Sequence, residues 1–227
     1  MPGFIKSFRQ ITSDSLFFIN SILFSVILYA PFYLHQNNIF SFNFILTYSL
    51  LGIYLLGYFS HLFKLEYKNN NYVIPNIISP KNFLSIFPSI FLFIPSIIIG
   101  YLISYLLFNF IEILSIKIIS IIIISILLFS FSCLSFGLFL DKNDIRNSFN
   151  LKHLSKYWLD YFLGGLFFTF QYSILALLLL IAIKHLSILF FPSLDFMNIV
   201  YIFFAISYFH FIVDYFATLS SELTQDV

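Results

Sequence analysis

The sequence is poor in charge. Of its 227 residues only 9% are Asp, Glu, Lys or Arg, against about 25% in an ordinary globular domain. So few ionised groups cannot cover the surface of a folded chain of this size, which excludes a water-soluble globular protein. The charges nearly cancel, at net +1, so there is neither a basic field for nucleic acid nor an acidic tract. Nucleic-acid binding is excluded. Cysteine is scarcer still. Cys133 stands alone inside the run SILLFSFSCLSFGLFL, which leaves no intramolecular disulfide and no thiolate metal cluster. Enzyme motifs are missing as well: no His-Glu-x-x-His helix, no Gly-x-Ser-x-Gly elbow and no Gly-rich phosphate loop. His35, His61, His153, His185 and His210 are scattered along the chain. No catalytic residue, metal site or cofactor is expected.

What is there is apolar. Hydrophobic residues make up 60% of the chain and the mean hydropathy is +0.97. A helix needs about 20 apolar residues to cross a hydrocarbon core about 30 Å thick, and six stretches meet that test: 16–33, 42–63, 88–108, 116–140, 161–183 and 199–219. Backbone groups cannot go unpaired in lipid, and runs this long are helices rather than barrel strands. The expected fold is an all-α, polytopic membrane bundle of six transmembrane helices in one domain, with short interfacial helices.

Orientation follows from the basic residues, which are retained on the cytoplasmic side. Nine of the eleven Lys and Arg fall in the N-terminal segment and in the loops after the second and fourth spans. Only Lys117 and Lys184 fall on the other side. Both termini are therefore expected in the cytoplasm, at a bacterial plasma (inner) membrane. The opening segment lacks a small-residue cleavage pattern, so the first span is expected to be retained.

Two basic segments read as interfacial. In SFNLKHLSKYWLDYF, apolar residues recur at helical spacing while Lys152 and Lys156 form an i,i+4 pair, the pattern of a helix lying at the headgroups. Trp158, the single tryptophan, would anchor it there. The opening PGFIKSFRQITSDSLFF carries a weaker version. An ordinary start to the following span is the alternative for both.

The segments SDSLFFINSILFS, GYFSHLF, KLEYKNNNYVIPNIISPKNFL and AISYFHFIVDYFA together carry a family resemblance. The chain resembles the prokaryotic six-helix membrane domain of unknown function numbered 4013. In that family a Gly-Tyr pair ends the second span and a Leu/Ile-Pro dipeptide follows a polar turn; Gly57-Tyr58 and Ile74-Pro75 occupy those places here. His61 stands near a position where the family tends to carry Arg. The resemblance implies a fold and a membrane location, and no activity.

Ionisable residues within a span cost about 2.5–3.5 kcal/mol at the bilayer centre on insertion scales, so each is a candidate site. His210 and Asp214, four apart, share one face of the last span. A proton relay or a metal ligand is one reading; the other is that Asp214 simply reaches water at the helix end. Asn20 and Gln171 are uncharged and suit hydrogen bonds between helices. Pro88 and Pro95 are expected to kink the third span, and the glycines to permit close packing. The first functional reading is an accessory or structural membrane protein that binds lipid, a membrane-protein partner or a second copy of itself. The alternative is a small transporter or channel subunit, which needs Asn20, Gln171 and His210 to converge on one interior site.

Overall fold

The computed structural model describes residues 8–9, 11–36, 44–69, 74–110, 113–142, 148, 151–190 and 196–225. Among these residues the chain is helical and no strand occurs. The helices are α1 (Ser15–Gln36), α2 (Phe44–Asn69), the short α3 (Pro80–Leu84), α4 (Ile86–Phe110), α5 (Leu114–Lys142), α6 (Leu151–Phe190) and α7 (Phe196–Gln225). Five of them, α1, α2, α5, α6 and α7, are each long and apolar enough to cross a membrane. The bent pair α3–α4 makes a sixth crossing if it counts as one span.

The outer surface shows why a bilayer is the solvent. On α4, Ile97, Ile98, Tyr101, Leu102, Tyr105 and Phe108 are exposed, and on α6 Phe167, Phe170, Leu177 and Leu178 are exposed. Contiguous apolar faces of this extent are stable only against hydrocarbon. This is an integral membrane protein.

Helix α7 lies at the centre. It packs against α1, α2, α5 and α6, and 56% of its most apolar window is buried, against 33% or less for the other four spans. Small residues let it approach. A Cβ at Gly165 of α6 would lie 2.8 Å from Phe216 Cζ and 3.2 Å from Ser130 Oγ, and one at Gly137 of α5 would lie 2.8 Å from Ser220 Oγ. Beside them Tyr161 stacks on Phe216 with ring centroids 5.5 Å apart, and its hydroxyl meets that of Ser220. The start of α6 therefore lies beside the end of α7. Hydroxyls tie further helix pairs: Tyr48 to the Leu28 carbonyl at 3.0 Å, Ser132 to Ser96 at 2.6 Å, and Tyr172 to the Phe204 carbonyl at 2.7 Å.

Two expectations need correction. The bend in the third span is 60°, between Pro80–Ile90 and Pro95–Asn109, and so sits at Pro95, which removes a backbone donor inside α4. Pro88 falls in the first turn of α4, where the amide it lacks would have no intrahelical partner, and it needs no kink. The second correction concerns Trp158. The segment around it is no separate helix at the interface; it is continuous with the span, in a 40-residue α6 about 60 Å long. Between Leu151 and Leu163 there is neither Gly nor Pro, so each added residue gains a helical hydrogen bond and propagation wins. Trp158 is half-buried and stacks on Phe162 at 6.3 Å, while the exposed Lys156 holds its Nζ 4.7 Å from the Tyr157 ring. The Lys152 side chain and, in the opening basic segment, residues 2–7 and 10, Lys6 among them, lie outside the described residues.

The glycines give a paired test. Gly165→Leu should destabilise the purified protein by at least about 1–3 kcal/mol through overpacking. Gly52→Ala, whose Cβ meets nothing within 4 Å, should leave thermal unfolding in detergent unchanged or slightly raised. Equal effects of the two would refute the packing assigned to α6 and α7.

Candidate functional site

Asn20 of α1 is buried and spends both amide hydrogens across the bundle. Its Nδ2 donates to the Tyr58 hydroxyl at 2.9 Å and to the Pro75 carbonyl at 3.0 Å. Tyr58 lies edge-on to His210 of α7, with centroids 5.6 Å apart. Phe17 and Phe59 close on the same imidazole at 5.4 Å and 5.3 Å, and His210 is 0% exposed. Helices α1, α2 and α7 and the strap after α2 thus meet at one aromatic, hydrogen-bonded node. Asp214, one turn further along α7, is 2% exposed, which overturns the reading that it reaches water at the helix end. Gln171 is half-buried on α6 and takes no part in the contacts described for Asn20, Tyr58 and His210. Asn20 and His210 meet through Tyr58.

A second polar node lies near the end of α2, and sequence reasoning missed its centre, Asn82. The Asn82 Nδ2 donates to the Ile77 carbonyl at 2.8 Å and the Asn76 carbonyl at 3.1 Å, and the Tyr54 hydroxyl bonds the same Ile77 carbonyl. Carbonyls only accept, so the amide orientation is fixed and its Oδ1 faces His61 Nδ1 at 2.7 Å. His61 therefore carries a proton on Nδ1, leaving Nε2 as the second ring nitrogen. A Cβ at Gly57 would fall 2.5 Å from the Asn82 carbonyl oxygen, so glycine there lets α3 close on α2. The available signal was an asparagine within an apolar stretch, PKNFLSIF, that had no other reason to hold one.

Two hollows lie along these helices, and the second of them borders this node through His61. A groove of about 640 Å³ runs between α2, α4, α5 and α7, walled by residues such as Ile53, Phe59, Ile90, Phe129, Cys133 and Phe209. Among the described residues that line it, the polar groups are Ser49, Ser60 and the Cys133 thiol, and none is charged. At the end of the same helices lies a cleft of about 450 Å³, where His61, Lys64, Lys68, Lys81 and Ser85 face Pro88, Phe136, Phe139 and Leu140. Among the described residues no group of three or more His, Cys, Asp or Glu could hold a metal ion. Compared with known proteins, the chain matches no family profile, no curated protein and no solved structure.

The Asn20 node predicts coupling. In a double-mutant cycle of Asn20→Ala and Tyr58→Phe, followed by unfolding in mixed micelles, the interaction energy should be non-zero. Hydrogen bonds between membrane helices average about 0.6 kcal/mol and reach about 1.7 kcal/mol. Additive effects would show that the two residues act independently.

Proposed function

We propose that this chain is an accessory membrane protein that holds lipid between its helices, with six spans, both termini in the cytoplasm and no catalytic role. The observation that carries this reading is the groove of about 640 Å³, within the range of small-ligand sites, about 300–1,000 Å³. Its walls offer a hydrocarbon chain dispersion contacts and offer a hydrated solute almost nothing to hydrogen-bond. A transport path would need polar groups in series through the bundle. Asn20 and His210 instead serve packing: Asn20 bonds Tyr58 and Pro75, and His210 is ringed by Phe17, Tyr58 and Phe59.

The resemblance to the six-helix domain of unknown function belongs to the same reading. The residues that carry it, Gly57-Tyr58 and Ile74-Pro75, sit where α1, α2 and α3 lock together. The cytoplasmic placement of both termini rests on the basic residues, nine of which share one side in this topology.

Gly52 lines the groove and nothing lies within 4 Å of where its Cβ would be, so Gly52→Phe starts a large side chain from open space at the groove. The wild type, exchanged into mild detergent from lipid and weighed by native mass spectrometry, should retain bound lipid. Gly52→Phe should lose it while unfolding at a similar temperature. Lipid retention equal to wild type in a folded Gly52→Phe would overturn the reading.

A further inference from the structure

The apolar groove and the basic cleft are consecutive along the same helices. On α2 the groove uses residues from Ser49 to Phe63 and the cleft residues from His61 to Lys68. On α5 the groove uses Phe129 and Cys133, and the cleft Phe136 to Leu140. The α3–α4 segment runs the other way, and its order is reversed accordingly: Ile90 to Ile97 in the groove, Leu84 to Pro88 in the cleft. Three independent helix registers therefore put the cleft at the same end of the groove. The groove's stretch of α2 is about 21 Å long at 1.5 Å per residue, more than one leaflet of a core about 30 Å thick.

From this end-to-end placement we propose that groove and cleft form one binding site for an anionic phospholipid, its acyl chain in the groove and its phosphate headgroup among Lys64, Lys68 and Lys81. The proposal rests on the lipid-holding reading above and adds the headgroup class. A chain leaving bulk lipid for the groove exchanges one apolar surrounding for another and gains little. Discrimination between lipids must come from the headgroup. Lys64 and Lys68 lie one turn apart on one face of α2, and Lys81 comes from α3. All three are exposed, and among the described residues that line the cleft none is acidic. Glu66, between the two α2 lysines, is buried and does not line it. His61, fixed by Asn82, stands in the same wall. Basic pockets between membrane helices on the cytoplasmic side are where phosphate headgroups bind, and each lysine near the surface is worth about a fivefold preference. Leu84, Phe136 and Phe139 around the lysines match the glycerol and upper chain of a lipid and have no use for a free phosphate ion.

The test uses the full-length protein reconstituted in nanodiscs of equal parts phosphatidylcholine and phosphatidylglycerol, released into mild detergent and weighed with its bound lipid. Wild type is expected to retain phosphatidylglycerol at least tenfold over phosphatidylcholine. The variant Lys64→Gln/Lys68→Gln/Lys81→Gln changes three exposed side chains and should retain lipid with that preference reduced at least tenfold. Excess inorganic phosphate or glycerol phosphate should not displace the lipid; displacement would make the occupant a free phosphate compound and overturn the proposal. Equal retention of both lipids by wild type, or an unchanged preference in the triple variant, would also overturn the headgroup assignment and leave the lipid-holding reading standing. Wild type free of lipid would remove both.

Discussion

Helix α7 has to fit four neighbours at once, and the rest of the bundle depends on that fit. In hydrocarbon there is no hydrophobic force between helices, because lipid tails are as apolar as leucine; close packing and hydrogen bonds must hold them. Glycines and hydroxyls make this possible here. Gly164 and Gly165 bring α6 against Tyr215 and Phe216, and Gly137 brings α5 against Ser220. The hydroxyls of Thr169 and Tyr208 then bond at 2.8 Å. On the opposite side, Phe17 and Phe24 of α1 and Leu62 of α2 complete the buried core with Phe211 and Ile212.

Such a hub leaves α4 at the margin. It packs on α2 and α5 and has no substantial contact with α7, and its helix is bent at Pro95 between residues that both border the groove, Phe93 and Ile97. The space between α2, α4, α5 and α7 is consequently open to the bilayer side, as the exposed Ile53 and Ile97 at its rim show. Polar residues gather at the end where α2, α3 and α5 meet. The same architecture thus accounts for an apolar hollow at depth, a basic one at its mouth, and buried polar nodes that brace the walls.

Much of the fold was legible in the sequence, because the physics of the bilayer is simple. A run of about 20 apolar residues has one stable structure in lipid, and the expected stretches 16–33, 116–140 and 199–219 lie inside α1, α5 and α7 with one to six residues added at each end. Those additions bring in polar residues such as His35, Gln36, Asp141, Lys142 and Glu222. The continuity of α6 was not legible, since an amphipathic turn at a span's start looks the same whether it lies flat or extends the helix. Nor was the site. The 15 tyrosines read as packing and lipid contact by composition, yet Tyr48, Tyr54, Tyr58, Tyr161, Tyr172 and Tyr208 each bond to another segment. Hydropathy treats a tyrosine alike on either face of a helix, and only the packing order separates the two. Asn20 and His210 were visible as polar residues in apolar spans, but their meeting at Tyr58 depends on which helices adjoin α7. The lysines of the cleft were read only for topology, because spacing along the chain does not place Lys81 beside Lys64 and Lys68.

The most direct measurement is an experimental structure of the protein in a lipid nanodisc containing anionic phospholipid. The account predicts α7 at the centre and an elongated density along α2 from Gly52 towards Phe63, ending in a headgroup beside Lys64, Lys68 and Lys81. A groove closed by α4 resting on α7, with ordered lipid absent from it, would contradict the account.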